Sequence, residues 1–412
     1  MSATGARAPV DEAAKGYEWE PSDAQIAAAY GLDPAQIVRF DTNTSPRTPD
    51  ALAAWVAEAA GLDLRPGAGT ATGAPLGPGA VTAKVPRLVP KAGAASSLPR
   101  PAPLNEYPDA TYAELTAAIS AHTGVPRPRI VVGAGADEVL DIVAKTCLEP
   151  GGRAVMPGPS YGMYPVLTRQ RRARLIEVPR RSARDGFAID PDGVAREAAA
   201  ADLVWLCDPN NPTGSVEAPG VLVGLLERLA DTAGGGPVVV VDEAYREFAG
   251  ESLITAVDRF PQLVVVRTLS KAYGLAGIRV GYAVAQEALV QRLSAVRPPG
   301  SISTLSAAIG AAALRDGEFA RANVASIVAE RERLCSELRR EGWRVEASVT
   351  NFQLLDASGP EAADRAATRL LEHGLVPRRF GNGPLRGHLR LTVRTPEQDD
   401  RLVAALGRGM PT

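Results

Sequence analysis

The chain has 412 residues, of which 45% are hydrophobic and 22% are charged, and its formal net charge is −2. These values are typical of a globular protein with room for two domains, and they exclude the basic field that attracts nucleic acid. No apolar run reaches the roughly 20 residues that cross a bilayer, and the first residues lack the apolar core of a secretory signal. We therefore expect a cytoplasmic protein with no membrane and no nucleic-acid partner.

The cysteines and histidines predict neither a disulfide framework nor a metal site. Cys147, Cys207 and Cys335 are odd in number and widely spaced, without a CxxC pair. This usage favours reduced, buried thiols. The three histidines show no metal-ligand spacing, so we expect no metal in catalysis.

Residues 64–103 are rich in glycine, proline and alanine and have no hydrophobic periodicity. They form either a mobile surface insertion, which we favour, or a flap over a site. From about residue 110 to 290, short apolar runs alternate with amphipathic stretches, which predicts a βαβ order of strands and helices. The expected strands lie in RIVVG, RAVMP, LVWLC, VVVVD, LVVVR and RVGYAVA. Nearly continuous, β-branched runs are typical of a mostly parallel sheet buried on both faces.

The C-terminal part predicts a smaller α+β domain. A long helix is expected at about 318–341, with further helices near 360–373 and 396–407. Strands are expected in WRVEAS, FQLLDA and HLRLTV. We predict three parts of the chain: an N-terminal segment (1–45) that joins the small domain, a large domain (46–310) and a small domain (311–412).

Ligands of open α/β sheets bind beyond the carboxyl ends of the strands, where several polar segments of this chain lie. Gly135, Ala136 and Asp137 in GAGADE follow a strand and open a helix, which suits an anion such as phosphate. Asp137 could equally serve as an N-cap residue. Tyr161 in PSYGMY is placed to stack on a planar ring, and Asn211 in PNNPTG offers an amide in a tight turn.

Two further segments carry ionisable groups. Asp242 ends the strand VVVVD, where a buried carboxylate needs a partner such as a protonated ring nitrogen, and Tyr245 could reach the same ligand. The segment RTLSKAYGLAGIRVGY carries two hydroxyls (Thr268 and Ser270), an amine (Lys271) and a guanidinium (Arg279). Lys271 is one of five lysines among 45 basic residues, and lysine can act as a nucleophilic amine where arginine cannot. The order of these segments predicts a pyridoxal 5′-phosphate (PLP) site, which needs a lysine and an acidic partner for the ring nitrogen.

With these motifs the chain resembles the fold-type I PLP-dependent enzymes, and among them it is most similar to histidinol-phosphate aminotransferases. The resemblance runs from about Tyr17 to the C-terminus, apart from the insertion. It covers LNEYPDATYAEL, GADE, PSYGMY, PNNPTG, VVVDEAYREFAG, RTLSKAYGLAGIRVGY and HLRLTV. It implies a large domain with a mostly parallel seven-stranded sheet between helices, a smaller α+β domain, and a homodimer.

The resemblance also implies a role for each motif residue. Lys271 would hold PLP as an imine and then act as the base at the substrate Cα, while Asp242 would pair with the ring nitrogen. Tyr161 would stack on the ring, and Asn211 and Tyr245 would bond its 3′-oxygen. The phosphate would be bound by Gly135, Ala136, Asp137, Thr268, Ser270, Arg279 and Tyr107 of the partner subunit.

On the substrate side, Arg390 matches the arginine that binds the substrate α-carboxylate, and Arg378 in GLVPRRF matches a ligand of the substrate phosphate. Asn43 and Tyr17 match further substrate-binding positions. The resemblance implies amino transfer between a histidinol phosphate-like amine and 2-oxoglutarate or glutamate. However, NTSPRT departs from the family's NENPxG, and RPPGS lacks the family's aromatic residue. These departures leave open a PLP-dependent decarboxylase, cyclase or oxidase acting on another amino acid.

A PLP-binding regulator is the alternative from a different class of protein. Such a regulator would need a nucleic-acid-binding module, and the sequence shows neither an appended helix-turn-helix nor a basic tail. We therefore expect an enzyme.

Overall fold

The computed structural model describes residues 20–59, 62–63, 89–90, 106–230 and 236–407. Its strands are β1 (Val38–Arg39), β2 (Leu62–Asp63), β3 (Val89–Pro90), β4 (Ile130–Gly133), β5 (Arg153–Gly158), β6 (Arg174–Pro179), β7 (Leu203–Cys207), β8 (Val238–Asp242), β9 (Leu263–Thr268), β10 (Gly281–Val284), β11 (Arg344–Val345), β12 (Phe352–Asp356), β13 (Leu375–Val376), β14 (Arg378–Arg379) and β15 (His388–Thr392). Its α-helices are α1 (Asp23–Tyr30), α2 (Leu52–Ala59), α3 (Ala113–Thr123), α4 (Ala136–Cys147), α5 (Met163–Gln170), α6 (Pro191–Ala198), α7 (Val221–Ala230), α8 (Glu287–Val296), α9 (Thr304–Asp316), α10 (Glu318–Arg340), α11 (Pro360–Glu372) and α12 (Pro396–Leu406). Tyr17 and the predicted insertion, except for β3, lie outside the described residues.

A seven-stranded sheet forms the centre of the fold, with the strand order β4-β10-β9-β8-β7-β5-β6. Strands β5 to β9 run parallel to one another, and β10 is antiparallel to both of its neighbours, β4 and β9, so the predicted mostly parallel sheet is confirmed. The central strands are continuous apolar runs because helices cover both faces. In β8, Val239 and Val241 pack in one hydrophobic cluster while Val240 packs in another.

Strands β6 and β10 differ from the sequence-based expectation. Strand β6, RLIEVP, is not among the predicted strands, because its charged and half-exposed side chains suit an edge position rather than a buried run. The sequence groups β10 with the parallel strands, but it runs antiparallel. The connection from β9 is short and contains only the 3₁₀ turn Ala276–Ile278, whereas a parallel return needs a crossover.

The C-terminal part contains a four-stranded antiparallel sheet, with the order β11-β12-β15-β14, whose core is shared with α10, α11 and α12. The three predicted helices of this part are confirmed. Strand β1 pairs in parallel with β13, so that Val38 lies beside Leu375 and the N-terminal segment joins this part of the chain. The domain boundaries themselves stay a prediction. Among the described residues, no helix combines the length and apolar composition of a membrane span.

Candidate active site

Lys271 follows the end of β9, at the edge of the sheet where β4, β5, β7 and β8 also end. Burial and, after it, the positive charge of Arg390 lower the pKa of the Lys271 amine to about 8. The amine nitrogen lies 5.6 Å from the centre of the Tyr245 ring. A larger fraction of Lys271 than of an ordinary lysine is therefore neutral near pH 7, and the neutral amine is the nucleophile.

Asp242 is the last residue of β8, and its side chain is buried. Burial raises the pKa of its carboxyl to about 6, although the hydroxyl of Tyr164 and the amide of Ala244 both stabilise the charged form. Tyr164 donates to Oδ2 over 2.8 Å and the Ala244 amide donates to Oδ1 over 3.1 Å. A carboxylate held in this state is suited to a cationic partner.

Tyr164 is a site residue that the sequence-based prediction missed. Its ring stacks on Trp205 at 5.1 Å between centroids with an interplanar angle of 5°. This stacking fixes the direction in which its hydroxyl reaches Asp242. The available signal was a second tyrosine three residues after Tyr161 in PSYGMY, which lies in the first turn of α5.

An anion-binding corner forms where β4 turns into α4. Gly135 has a φ of 83° and precedes the helix, and a Cβ at this position would lie 2.6 Å from Nη2 of Arg279. A Cβ on Gly281 would lie 2.5 Å from the backbone nitrogen of Ala136, so glycine is needed there as well. The first amides of α4 have no partner within the helix and therefore suit an anion. Asp137 is not the N-cap, because that position is Gly135.

Two hydroxyls adjoin this corner. Thr268 Oγ1 donates to Ser270 Oγ over 2.9 Å and accepts from the Ser270 amide over 3.1 Å, and both side chains are buried. Thr268 lies directly beside Gly281 in the β9–β10 ladder. The tight contact of Gly281 with Ala136 therefore brings these hydroxyls close to the start of α4.

Tyr161 contacts the same corner. Its hydroxyl donates to Asp137 Oδ1 over 2.9 Å, and Asp137 Oδ2 accepts from Arg279 over 3.4 Å. The ring of Tyr161 meets that of Tyr164 edge to face, with centroids 5.6 Å apart. The predicted phosphate and ring ligands thus belong to one connected group of side chains.

Arg390 connects the C-terminal sheet with the strand ends of the large sheet. Its Nη1 donates to Oδ1 of Asn211 over 2.6 Å, and its Nη2 donates to the carbonyl of Asp41. Its guanidinium carbon lies 5.3 Å from the centre of the Phe352 ring. The guanidinium is buried, and a substrate carboxylate would form a charge-assisted pair with it.

Asn43 is also brought into the site. It has a left-handed φ of 51°, which asparagine tolerates better than most residues. The conformation is held by the hydroxyl of Thr392, which accepts from the Asn43 amide over 3.0 Å, and by Asn351, which donates to its carbonyl over 3.0 Å. Asn43 Nδ2 then donates to the hydroxyl of Tyr245 over 3.0 Å. Burial raises the pKa of Tyr245 well above its ordinary range, so this hydroxyl stays protonated.

Arg378 lies directly opposite Arg390 in the β14–β15 ladder, so the two side chains leave the same face of the sheet. Glu20, which the sequence-based prediction missed, lies 3.6 Å from Arg378 and 3.9 Å from Arg379. Its side chain is only 11% exposed. One of the two neighbouring arginines is therefore already paired with a carboxylate of the same chain.

Among the described residues, Tyr107 is the one predicted cofactor ligand that does not join the other predicted ligands within a single chain. Its side chain is 94% exposed. An exposed aromatic side chain of this kind is available to another subunit.

Comparison with known proteins identifies the family. A family model described as aminotransferase class I and II matches residues 75–406. The chain belongs to this family. The histidinol-phosphate aminotransferase of Thermoanaerobacter pseudethanolicus is 38% identical over 307 residues, covering 74% of this chain and 84% of the relative. That of Thermococcus kodakarensis is 37% identical over 302 residues, covering 73% of this chain and 83% of the relative. The chain is therefore a transaminase.

Solved structures show the same fold. The histidinol-phosphate aminotransferase of Sinorhizobium meliloti in complex with pyridoxal-5′-phosphate has a TM-score of 0.78 and 24% identity, and 98% of each chain is covered. The aspartate aminotransferase of Thermus thermophilus with maleate has a TM-score of 0.70 and 21% identity, covering 95% of this chain and 98% of that one. The predicted fold-type I class is thus confirmed, and PLP is the cofactor of the family.

Proposed function

We propose that this chain moves an amino group between a histidinol phosphate-like amine and 2-oxoglutarate or glutamate, with Lys271 as the Schiff-base lysine. The proposal rests on the environment of the Lys271 amine. Its amine is the only lysine amine at this edge of the sheet in the described part of the chain, and its pKa is influenced by both Asp242 and Arg390. An amine, a carboxylate and a guanidinium within electrostatic reach of one another are the groups that amino transfer requires.

The residues present fit PLP. There is no room for a Cβ at Gly135 or Gly281. Glycine at these positions lets a phosphate approach the backbone amides closely. Buried Asp242 has no cationic hydrogen-bond partner among the described residues, and a protonated ring nitrogen would supply one. We assign the cofactor contacts to Gly135, Ala136, Asp137, Tyr161, Asn211, Asp242, Tyr245, Thr268, Ser270, Lys271, Arg279 and Tyr107 of the partner subunit.

A homodimer follows from this assignment. Tyr107 is fully available on the surface of one chain, and a hydroxyl from a second copy would complete the phosphate site. The three cysteines are free, which suits the proposed cytoplasmic location.

When bound, PLP supplies a ring that accepts the electron pair left behind when a proton leaves the substrate Cα. Asp242 would hold the ring nitrogen in its protonated form, which strengthens that effect. Lys271 would take the proton from the substrate Cα, a role that its lowered pKa favours near neutral pH. Arg390 holds the substrate anion, and Asn211, already bonded to Arg390, fixes the guanidinium relative to the ring.

The substrate side rests on Arg390, Arg378, Asn43 and Tyr17, of which Tyr17 lies outside the described residues. Two arginines on one face suit a phosphorylated amine, in agreement with the histidinol-phosphate aminotransferases among the relatives. The pairing of Glu20 with Arg378 favours a second candidate. In this alternative, the enzyme is a decarboxylase, cyclase or oxidase that acts on an amino acid without a phosphate.

The test is the half-reaction of the holoenzyme with glutamate, followed by absorbance of the cofactor. We expect conversion from the pyridoxal to the pyridoxamine form and formation of 2-oxoglutarate. Absence of this conversion would refute amino transfer. A panel of amines with 2-oxoglutarate then decides the substrate: turnover of histidinol phosphate supports the first candidate, and turnover of other amines alone contradicts it.

A further inference from the structure

Three potential metal ligands meet at one end of the C-terminal sheet. Glu346 follows β11, Asp356 ends β12 and His388 begins β15. Their ligand atoms all lie within 4.8 Å of one another, and the three side chains are partly buried. The register explains the grouping, because Asp356 lies directly opposite both His388 and Arg344.

The imidazole ring of His388 has no hydrogen-bond partner among the described residues. Both of its ring nitrogens are buried, and neither donates nor accepts a hydrogen bond there. A desolvated and unpaired imidazole is unfavourable, because its polar atoms have lost water without gaining a partner. This is evidence, independent of the carboxylates, that a partner binds beside His388.

The two carboxylates also indicate a cation. The partly buried carboxylates of Glu346 and Asp356 place ligand oxygens within 4.8 Å of each other, and like charges at that distance repel unless a cation lies between them. Asp356 is oriented by the amide of Ser358, which donates to Oδ1 over 2.7 Å, and by Arg344, which donates to Oδ2. Each carboxylate oxygen has a further lone pair, and metal-bound carboxylates are commonly oriented by such hydrogen bonds.

We propose that Glu346, Asp356 and His388 bind a divalent cation of the Zn²⁺ type. One imidazole nitrogen and two carboxylate oxygens are a ligand set that suits Zn²⁺, with water in the remaining positions. The ion has a structural role. His388 and Arg390 project from the same face of β15, two positions apart, so an ion that ties β15 to β11 and β12 also fixes the strand that carries Arg390.

The test uses holoenzyme that has been treated with a chelator and dialysed. Zn²⁺ is titrated by calorimetry, and the metal content after gel filtration is measured by mass spectrometry. His388→Ala removes the ligand. His373→Ala is the matched control, because His373 is exposed and its ring forms one hydrogen bond in the described structure, with the carbonyl of Arg369 in the helix that it caps.

We expect wild type and His373→Ala to bind Zn²⁺ at the same site with equal affinity. For His388→Ala we expect a loss of Zn²⁺ affinity that is larger than the roughly 10–100-fold seen when a residue that hydrogen-bonds to a metal ligand is removed. Zn²⁺ should also raise the melting temperature of wild type and not that of His388→Ala. Glu346→Gln, which keeps the side-chain volume, gives a second measurement should His388→Ala fold poorly. Equal affinity in wild type and both ligand variants, or no binding by wild type, would overturn the proposal.

Discussion

The hydroxyl of Tyr164 controls the charge of Asp242, and Tyr164→Phe tests this directly. The substitution removes the 2.8 Å hydrogen bond to Oδ2 and leaves the ring that stacks on Trp205. After the substitution, the amide of Ala244 is the remaining donor to Asp242 among the described residues. The change is therefore confined to one hydrogen bond at the carboxylate.

The size of the effect follows from that bond. Among the groups that lower the pKa of Asp242, Tyr164 is the largest, and it acts against burial, which raises the pKa to about 6. A hydrogen bond to a charged group is worth about 1.5–3 kcal/mol, and about 1.4 kcal/mol corresponds to one pH unit. Without Tyr164 the pKa of Asp242 rises further, so the carboxyl is protonated over a wider pH range. The midpoint of the acid limb of activity should move upward by about 1 to 2 pH units.

The assay is the pH dependence of kcat/KM for amino transfer, measured for wild type and Tyr164→Phe. We expect the variant to lose activity near neutral pH and to recover toward wild type as the pH rises, because ionised Asp242 is needed to hold a protonated ring nitrogen. Tyr282→Phe is the control, since Tyr282 is as buried but packs in the other hydrophobic cluster of the large sheet. An acid limb unchanged in Tyr164→Phe, or a loss of activity equal at every pH, would refute the proposed coupling.

Three other substitutions or conditions test the remaining parts of the site. Lys271→Arg keeps the positive charge but removes the amine that can form an imine, so we expect no turnover of glutamate; measurable turnover would show that Lys271 is dispensable. Binding of PLP to the apoenzyme, followed by absorbance, should become faster as the pH rises through about 8, because above its lowered pKa the Lys271 amine is neutral. A binding rate that does not change across this pH range would contradict the assignment of Lys271. Glu20→Gln removes the carboxylate beside Arg378, so the KM of a phosphorylated amine should fall by about fivefold, corresponding to about 1 kcal/mol, while that of an unphosphorylated amine stays the same. Asp23→Asn, which breaks an ion pair with Arg39 nearby, is the control for Glu20→Gln, and equal effects of the two substitutions would exclude a specific role for Glu20.

Many of the proposed cofactor-binding residues could be predicted, because each can be recognised from the short segment of sequence in which it lies. Asp242 ends an apolar run, and Lys271 and Arg279 lie in one segment after the next run. Parallel strands place their carboxyl ends at one edge of a sheet, so residues that follow successive strands come together whatever the details of packing. Gly135 could be recognised for the same reason, since a tight strand-to-helix turn is encoded by adjacent residues.

The substrate side depends on contacts between residues that are distant in the chain. Arg390 bonds to Asn211, 179 positions away, and Asn43 bonds to Tyr245, 202 positions away. Motif spacing contains no information about Glu20, because its proximity to Arg378 arises from how the N-terminal segment lies against the C-terminal sheet. Even within PSYGMY, the sequence does not distinguish the tyrosine that reaches Asp137 from the one that reaches Asp242.

The sequence by itself determined the fold class and the cofactor, and it predicts the reactive lysine, because these depend on hydrophobic period and on residue types placed directly after strands. The tertiary structure decided which side chains surround them: Tyr164 on Asp242, Glu20 on Arg378, and Glu346 and Asp356 beside His388. The histidines had no metal-ligand spacing along the chain, yet strand register gathered one of them with two carboxylates. Register and packing act between distant segments, and only the folded chain reveals them.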